Sequence, residues 1–163
     1  MDAQPLPRHT PLHGTVDHEK AIDTVLQSAK KRILIFDQSL SKGYNSVARI
    51  ESIRQFLLSS RRNTLQIALH DTQSMDRNCP RLLGLLRVHG HAISIHETHA
   101  TAKSVYDPFV VVDDHSFVHR FHFDELRGLL ALDDPIETHA FIERFAEIWE
   151  ESSPAVSGTT LGL

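Results

Sequence analysis

Only one cysteine, Cys79, occurs in the 163 residues. An internal disulfide is therefore excluded, and a reducing, cytoplasmic location is expected. Long apolar runs are absent: nothing approaches the roughly 20 residues that a membrane-spanning helix needs, so no span is expected. Residues 1–13 show no basic-then-apolar leader pattern. Positive charge is in deficit, with Lys and Arg numbering 17 against 21 Asp and Glu, a formal net charge of -4 and a pI near 6.3. That argues against non-specific nucleic-acid binding, which wants a basic face, although a local basic pocket is compatible with it. Glycine is scarce, at seven residues, and none builds a phosphate-cradling loop or a G-x-S-x-G elbow. No cofactor is therefore expected.

What remains is the composition of one soluble globular domain, 40% hydrophobic and 23% charged. Residues 1–14, rich in Pro and His, read as a flexible lead-in, and residues 154–163 as a flexible tail, leaving a domain over 15–153. Within it, Ala21, Ile22, Val25, Leu26 and Ala29 fall on one helical face behind a cap at Thr15 or Asp17. Ile33-Leu34-Ile35-Phe36 is a short apolar run ending at Asp37, as a strand covered on both faces would be. A second helix is capped by Asn45 or Ser46, with Val47, Ile50, Ile53 and Leu57 inward. Strands over 65–71 and 92–96 flank a third helix opened by Pro80. A buried hairpin follows, with Phe109 to Val112 as one arm and Phe117 to Phe123 as the other, and then a short strand over 129–132. Asp134, Pro135 and Glu137 form an N-cap, N1 and capping-box set for the last helix. The alternation predicts an α/β sandwich: a mixed, mostly parallel sheet with helices on both faces.

Three stretches carry a resemblance. Tyr106-Asp107-Pro108-Phe109-Val110-Val111-Val112-Asp113 looks like the core strand of the phospholipase D superfamily, whose pattern is H-x-K-x-x-x-x-D. Tyr106 stands at the His position, Pro108 at the Lys position, and Asp113 matches the Asp. Ile33 to Asp37 with its following helix is the second stretch. Leu130-Ala131-Leu132-Asp133-Asp134-Pro135, running to Phe145 and Trp149, is similar to the superfamily's closing strand and F-x-x-x-W helix. The match covers roughly residues 21–153 by element order, and it implies a single phospholipase D-like half-domain. More narrowly, the sequence resembles a family of uncharacterised bacterial phospholipase D-like domains without the His-Lys pair. Members often follow an acetyltransferase domain, an activity not expected of this stretch.

The superfamily's reaction needs a histidine nucleophile, a second histidine as acid, and lysines that hold phosphate charge. A tyrosine can attack phosphorus in principle, but a phenol with an ordinary pKa of about 10 needs strong activation, and a proline offers neither charge nor donor. The resemblance therefore implies a non-enzymatic domain that binds a small anionic or phosphate-containing ligand and forms a homodimer around the motif strand. Tyr106, Asp113, His119, Arg120 and His122 are the candidate ligand-binding residues. The alternative is a phosphodiesterase or phosphotransferase using non-standard residues, with Tyr106, His119 and His122 as its candidates. In an extended strand His119 shares a face with Phe117 and Phe121, and Arg120 with His122. Arg120 has two readings: anion binding in the old phosphate pocket, or a structural ion pair with Asp113, Asp114 or Asp124. The 12 histidines include the close pairs His89/His91, His96/His99 and His119/His122, but none has a helical H-x-x-x-H spacing with a carboxylate. No metal site is expected. His70-Asp71 and Asp37 fall at strand ends, where α/β proteins place ligands; capping or loop hydrogen bonds are the plainer reading.

Overall fold

The computed structural model describes residues 5–157. In chain order the elements are β1 (Arg8–His13), α1 (Gly14–Ser28), β2 (Arg32–Asp37), α2 (Val47–Ser59), β3 (Thr64–Leu69), α3 (Met75–Asn78), α4 (Pro80–Val88) and β4 (Ile93–Thr98). They continue with β5 (Phe109–Val112), β6 (Ser116–Arg120), β7 (Arg127–Leu132), α5 (Pro135–Glu150) and β8 (Ser152–Val156). The strands form one eight-stranded sheet in the order β1-β7-β6-β5-β2-β3-β4-β8.

Only β2–β3 and β3–β4 are parallel, and the other five pairings are antiparallel. The expected mostly parallel sheet is thus overturned; the sheet is mixed and mostly antiparallel. Connection length explains it. A parallel return takes a dozen or more residues, usually through a helix. The links from β5 to β6 and from β6 to β7 are far shorter, so those strands must fold back on themselves. The chain ends add two further antiparallel edges. Arg8–His13, read as a flexible lead-in, pairs along β7, and β8 extends into the stretch read as a flexible tail. Both edge strands contain a proline, Pro11 and Pro154, which an edge tolerates and a sequence pattern hides. The expectations for residues 1–4 and 158–163 lie outside the described residues.

Helices do cover both faces. On one, α1, α2 and α4 bury Val25, Leu26, Ile53, Phe56, Leu82 and Leu86 in one core with the sheet, α1 lying over β5 and β6. On the other, α5 lays Phe145 and Ile148 over Phe36, Phe109, Val111 and Phe117. Each such side chain contributes about 1.5–3 kcal/mol by leaving water. Strand β2 is buried on both faces, which is why it reads as an unbroken apolar run. Asp134 caps α5 by accepting the Glu137 N–H at 3.0 Å, with Pro135 in the first turn, and Ser46 caps α2 through the Arg49 N–H at 3.1 Å. Helix α1 has no side-chain cap; Asp17 instead accepts the His13 N–H at 3.0 Å, and Gly14 makes the strand-to-helix turn at φ +85°. Val47, expected inward, is 66% exposed, and Arg49 is buried in its place.

The sheet has two ends. The C-terminal ends of β2, β3 and β6 meet the approach to β5, residues 106–108, and the start of α1. This is the motif end. The far end holds the starts of β2, β3 and β4 and the β5–β6 turn.

Candidate functional site

A cleft of about 300 Å³ opens at the motif end. Strand β2 brings Asp37 to it, the first turns of α1 bring His18 and Glu19, the short 3-10 turn Lys42–Asn45 brings Tyr44, and β6 brings Arg120. Asp37 is partly buried and accepts the Gln38 N–H at 2.7 Å. Burial dominates its titration: the carboxyl is pushed up to about 7, against the opposing pull of that N–H and of the Arg120 charge. Burial, then the Arg120 charge, lowers the His18 pKa, so its imidazole is neutral at neutral pH. The His18 Nδ1 is buried without a hydrogen-bond partner among the described residues. Beneath the cleft Arg49, 2% exposed, bonds Glu19 at 2.5 Å and Asp23 at 2.8 Å and lies under the Tyr44 ring. The turn above approaches closely: a Cβ at Gly43 would meet the Glu19 carboxylate at 2.6 Å, so a larger residue there would displace that side chain.

His119 and Arg120 point to opposite faces, as strand alternation predicts. Arg120 does not form the structural ion pair, one of its two readings, among the described residues. Its Nε donates to the carbonyls of Glu125 at 2.6 Å and His122 at 3.2 Å, and its Nη2 to the carbonyl of Phe123. It brackets the loop between β6 and β7 and pairs with none of Asp113, Asp114 and Asp124. Its charge nonetheless acts on Asp37 and His18 in the cleft.

On the α5 face, His119 Nε2 donates to Asp107 at 2.8 Å, and Arg144 grips the same carboxylate with both terminal nitrogens. Burial would raise the Asp107 pKa; the Arg144 and His119 hydrogen bonds outweigh it and hold the carboxyl below its usual range. Burial lowers the His119 pKa against the pull of Asp107. Between the two faces, Tyr106 stacks on His122 at 5.6 Å between ring centroids. Tyr106 is 53% exposed, and its hydroxyl makes no hydrogen bond among the described residues. Pro108 is buried. His70 is fully occupied: its Nε2 donates to the Val105 carbonyl at 2.9 Å, so its Nδ1 accepts from the Thr98 hydroxyl at 2.6 Å. That is a structural role, in line with the plainer of its two readings.

Asp113 is elsewhere. It sits in the β5–β6 turn at the far end, 5% exposed and at φ +55°. Its carboxylate accepts the backbone N–H of Lys30, Lys31 and Arg32, the closest at 2.7 Å, and so closes the link from α1 to β2. The five candidate ligand residues therefore divide: Arg120 at the cleft, His119 on the opposite face, Tyr106 and His122 on the rim, and Asp113 a strand's length away. Sequence reasoning missed His18, Glu19, Asp107 and Arg144. The side chains facing Asp107 come from β6 and α5, and no local pattern announces such a meeting. Among the described residues no group of three or more His, Cys, Asp or Glu could hold a metal ion. His96 is stacked on Trp149 at 3.5 Å, and His99 bonds Ser153 at 2.6 Å.

This architecture is a phospholipase D-like fold. Nuc from Salmonella typhimurium, a phospholipase D family member, superposes with a TM-score of 0.66 at 13% identity, covering 93% of this chain and all of that one. NucT from Helicobacter pylori gives 0.60 at 12%, covering 92% of this chain and all of its own. TrmBL2, an archaeal chromatin protein with a described mode of DNA binding, gives 0.68 at 15%, covering 91% of this chain and 55% of its own. At such identities the likeness is one of fold alone. The chain itself belongs to the family described as a domain of unknown function, DUF7931, whose model matches residues 15–158. No curated protein matches it. No described helix is long and apolar enough to cross a membrane.

Proposed function

We propose that this domain keeps a phospholipase D-like scaffold without the superfamily's phosphodiesterase chemistry. It belongs with the bacterial members that lack the His-Lys pair and acts in the cytoplasm as a binding module. Its ligand is a small anionic or phosphate-containing molecule seated in the cleft beside Arg120, His18 and Asp37. The carrying observation is the pair of residues at the motif positions. Tyr106 is exposed with its hydroxyl free of hydrogen bonds among the described residues, and Pro108 is buried and uncharged. Neither motif position supplies a poised nucleophile or a phosphate-holding cation, and the reaction needs both. Support for an anion comes from the Arg120 charge and from the first turn of α1, whose amide dipoles favour negative charge.

A homodimer completes the reading. Tyr106 and Phe121 are 53% and 46% exposed at the motif end, an aromatic rim suited to a second copy. One observation favours the enzymatic alternative: the His119–Asp107 pair at 2.8 Å could orient an imidazole as a base.

Calorimetric titration with inorganic phosphate and with nucleotides tests the binding claim, beside a generic phosphodiester assay and sedimentation. The expected result is binding of a dimer without turnover. Affinity should rise as pH falls from about 8 to 6, because protonating Asp37 removes a negative charge facing the anion. Turnover that vanishes in Tyr106→Phe or His122→Ala overturns the reading, as does a strict monomer with no anion affinity.

A further inference from the structure

The net charge of -4 is unevenly spread. Helices α1, α2 and α4 all end at the far end of the sheet, and the three connections that follow them lead into the adjacent parallel strands β2, β3 and β4. These connections are tied side by side: Thr64 N–H donates to the Lys31 carbonyl at 3.3 Å and Leu65 N–H to the Ala92 carbonyl at 2.9 Å. They carry Lys30 and Lys31, then Arg61 and Arg62, then Arg87 with His89 and His91 at the end of α4, and no Asp or Glu. All five Lys and Arg are exposed.

None of the five makes a side-chain hydrogen bond or ion pair among the described residues, and only Lys20, Lys42 and Arg77 share that condition. The acids on the other half of this end are already engaged. Asp114 pairs with Arg32 at 2.7 Å, Asp133 with Arg8 at 3.0 Å and Asp134 with His9 at 2.6 Å, while Asp113 is occupied by backbone amides. Cations after a helix C-terminus are favoured by its dipole, but that effect calls for a charge near each helix end and does not account for two pairs of consecutive cations whose side chains make no ion pair among the described residues.

We propose that this edge is a docking surface for the phosphate backbone of duplex nucleic acid, bound without regard to sequence. Strands about 4.8 Å apart set the three connections across roughly 10 Å, over which a duplex presents about six charges. The exposed aromatics, Tyr106 and Phe121, lie at the opposite end of the sheet, so this edge lacks the stacking platform that single strands use. Lipid adsorption takes a second, apolar signal beside the basic patch. Here the exposed aliphatics are two separate residues, Leu58 and Val88, on different helices. A phosphate backbone needs cations alone, since counterion release supplies the affinity. The surface is independent of the cleft and faces away from it.

Anisotropy of a labelled duplex of roughly 20 base pairs and arbitrary sequence, measured on the full chain between about 25 and 200 mM salt, tests this. Dissociation constants of about 1–100 µM at the low-salt limit are expected, with a log–log salt slope between about -3 and -4.5 for up to five phosphates neutralised. Arg61→Glu with Arg62→Glu should weaken binding by at least about tenfold, whereas Lys42→Glu with Arg77→Glu, free cations elsewhere, should change it by less than about twofold. Circular dichroism checks folding, and Lys30→Gln with Lys31→Gln serves if the arginine variant does not fold; it should flatten the slope by about two. A slope shallower than about -1, equal losses in the control pair, or binding to phosphatidylserine vesicles but not to the duplex overturns the proposal.

Discussion

Asp37, at the end of β2, and Asp113, in the turn that follows the neighbouring β5, lie at opposite ends of the sheet, and their surroundings differ. Asp113 receives backbone N–H groups from three consecutive residues and an incoming turn that fits it. Asp37 receives one N–H, from Gln38, and faces an open cleft in which burial keeps its carboxyl half protonated near neutrality, at about 7. The first carboxylate is satisfied by the fold. The second is held in an environment that disfavours its charge, the condition that marks sites available to ligands. The motif resemblance runs across this divide. Its Asp position is at the satisfied end, while its His and Lys positions are at the open end, occupied by Tyr106 and Pro108. The aspartate at the motif's Asp position therefore has a structural role of its own.

Removing the satisfied carboxylate is the strongest way to break this contrast. Asp113→Ala leaves three partly buried amides without their acceptor, at up to about 1–3 kcal/mol each, and puts a Cβ residue without a polar side chain at φ +55°. A loss of roughly 3 kcal/mol or more in chemical unfolding is expected, with Asp113→Asn losing less because it keeps an acceptor and tolerates the turn. A loss below about 1 kcal/mol would mean the amides find other partners.

The scaffold was legible where one residue type has one local meaning. The apolar run of β2, the Ser46 cap and the Asp134-Pro135-Glu137 helix start appear where the sequence places them. Edge strands were not legible, because β1 and β8 contain prolines and pair with partners about 120 and about sixty residues away in sequence. The parallel bias failed for a related reason: alternation of helix and strand holds only from α1 to β4, and the hairpins beyond it turn the sheet antiparallel. At the site, strand alternation separated His119 from Arg120 correctly. It could not reveal that Arg120 would bracket its own loop, or that α5 would deliver Arg144 to Asp107. Four of the histidines, His70, His119, His96 and His9, spend ring nitrogens on Thr98, Asp107, Ser152 and Asp134, partners that no sequence spacing announces.

The open end yields a smaller effect of opposite sign. Asp37 has a folded-state pKa raised from 3.8 to about 7. Its contribution favours the fold fully below the unfolded pKa and is lost as pH climbs through the folded one. At pH 8 the buried charge is a net cost. Asp37→Asn should then raise stability by roughly 1–3 kcal/mol, given about 1.4 kcal/mol per pKa unit, and the gain should vanish near pH 4. The same variant should flatten the pH dependence of phosphate affinity. A loss of stability in Asp37→Asn at pH 8 would show that the carboxylate has partners the fold depends on.

Tyr106→Ala sets the lower limit of the comparison. The side chain is half exposed, its hydroxyl is unbonded among the described residues, and its one ring neighbour is His122. Its removal should change the stability of the monomer by less than about 0.5 kcal/mol, far below the Asp113 effect at the other motif position. If the rim seats a second copy, the same substitution should weaken the dimer by about tenfold or more, the scale on which buried aromatic anchors act. Unfolding at two protein concentrations separates these. A concentration-dependent midpoint that Tyr106→Ala abolishes assigns the residue to the interface. A midpoint independent of concentration in both proteins leaves Tyr106 with no part in assembly, and the motif's His position without a role in either fold or dimer.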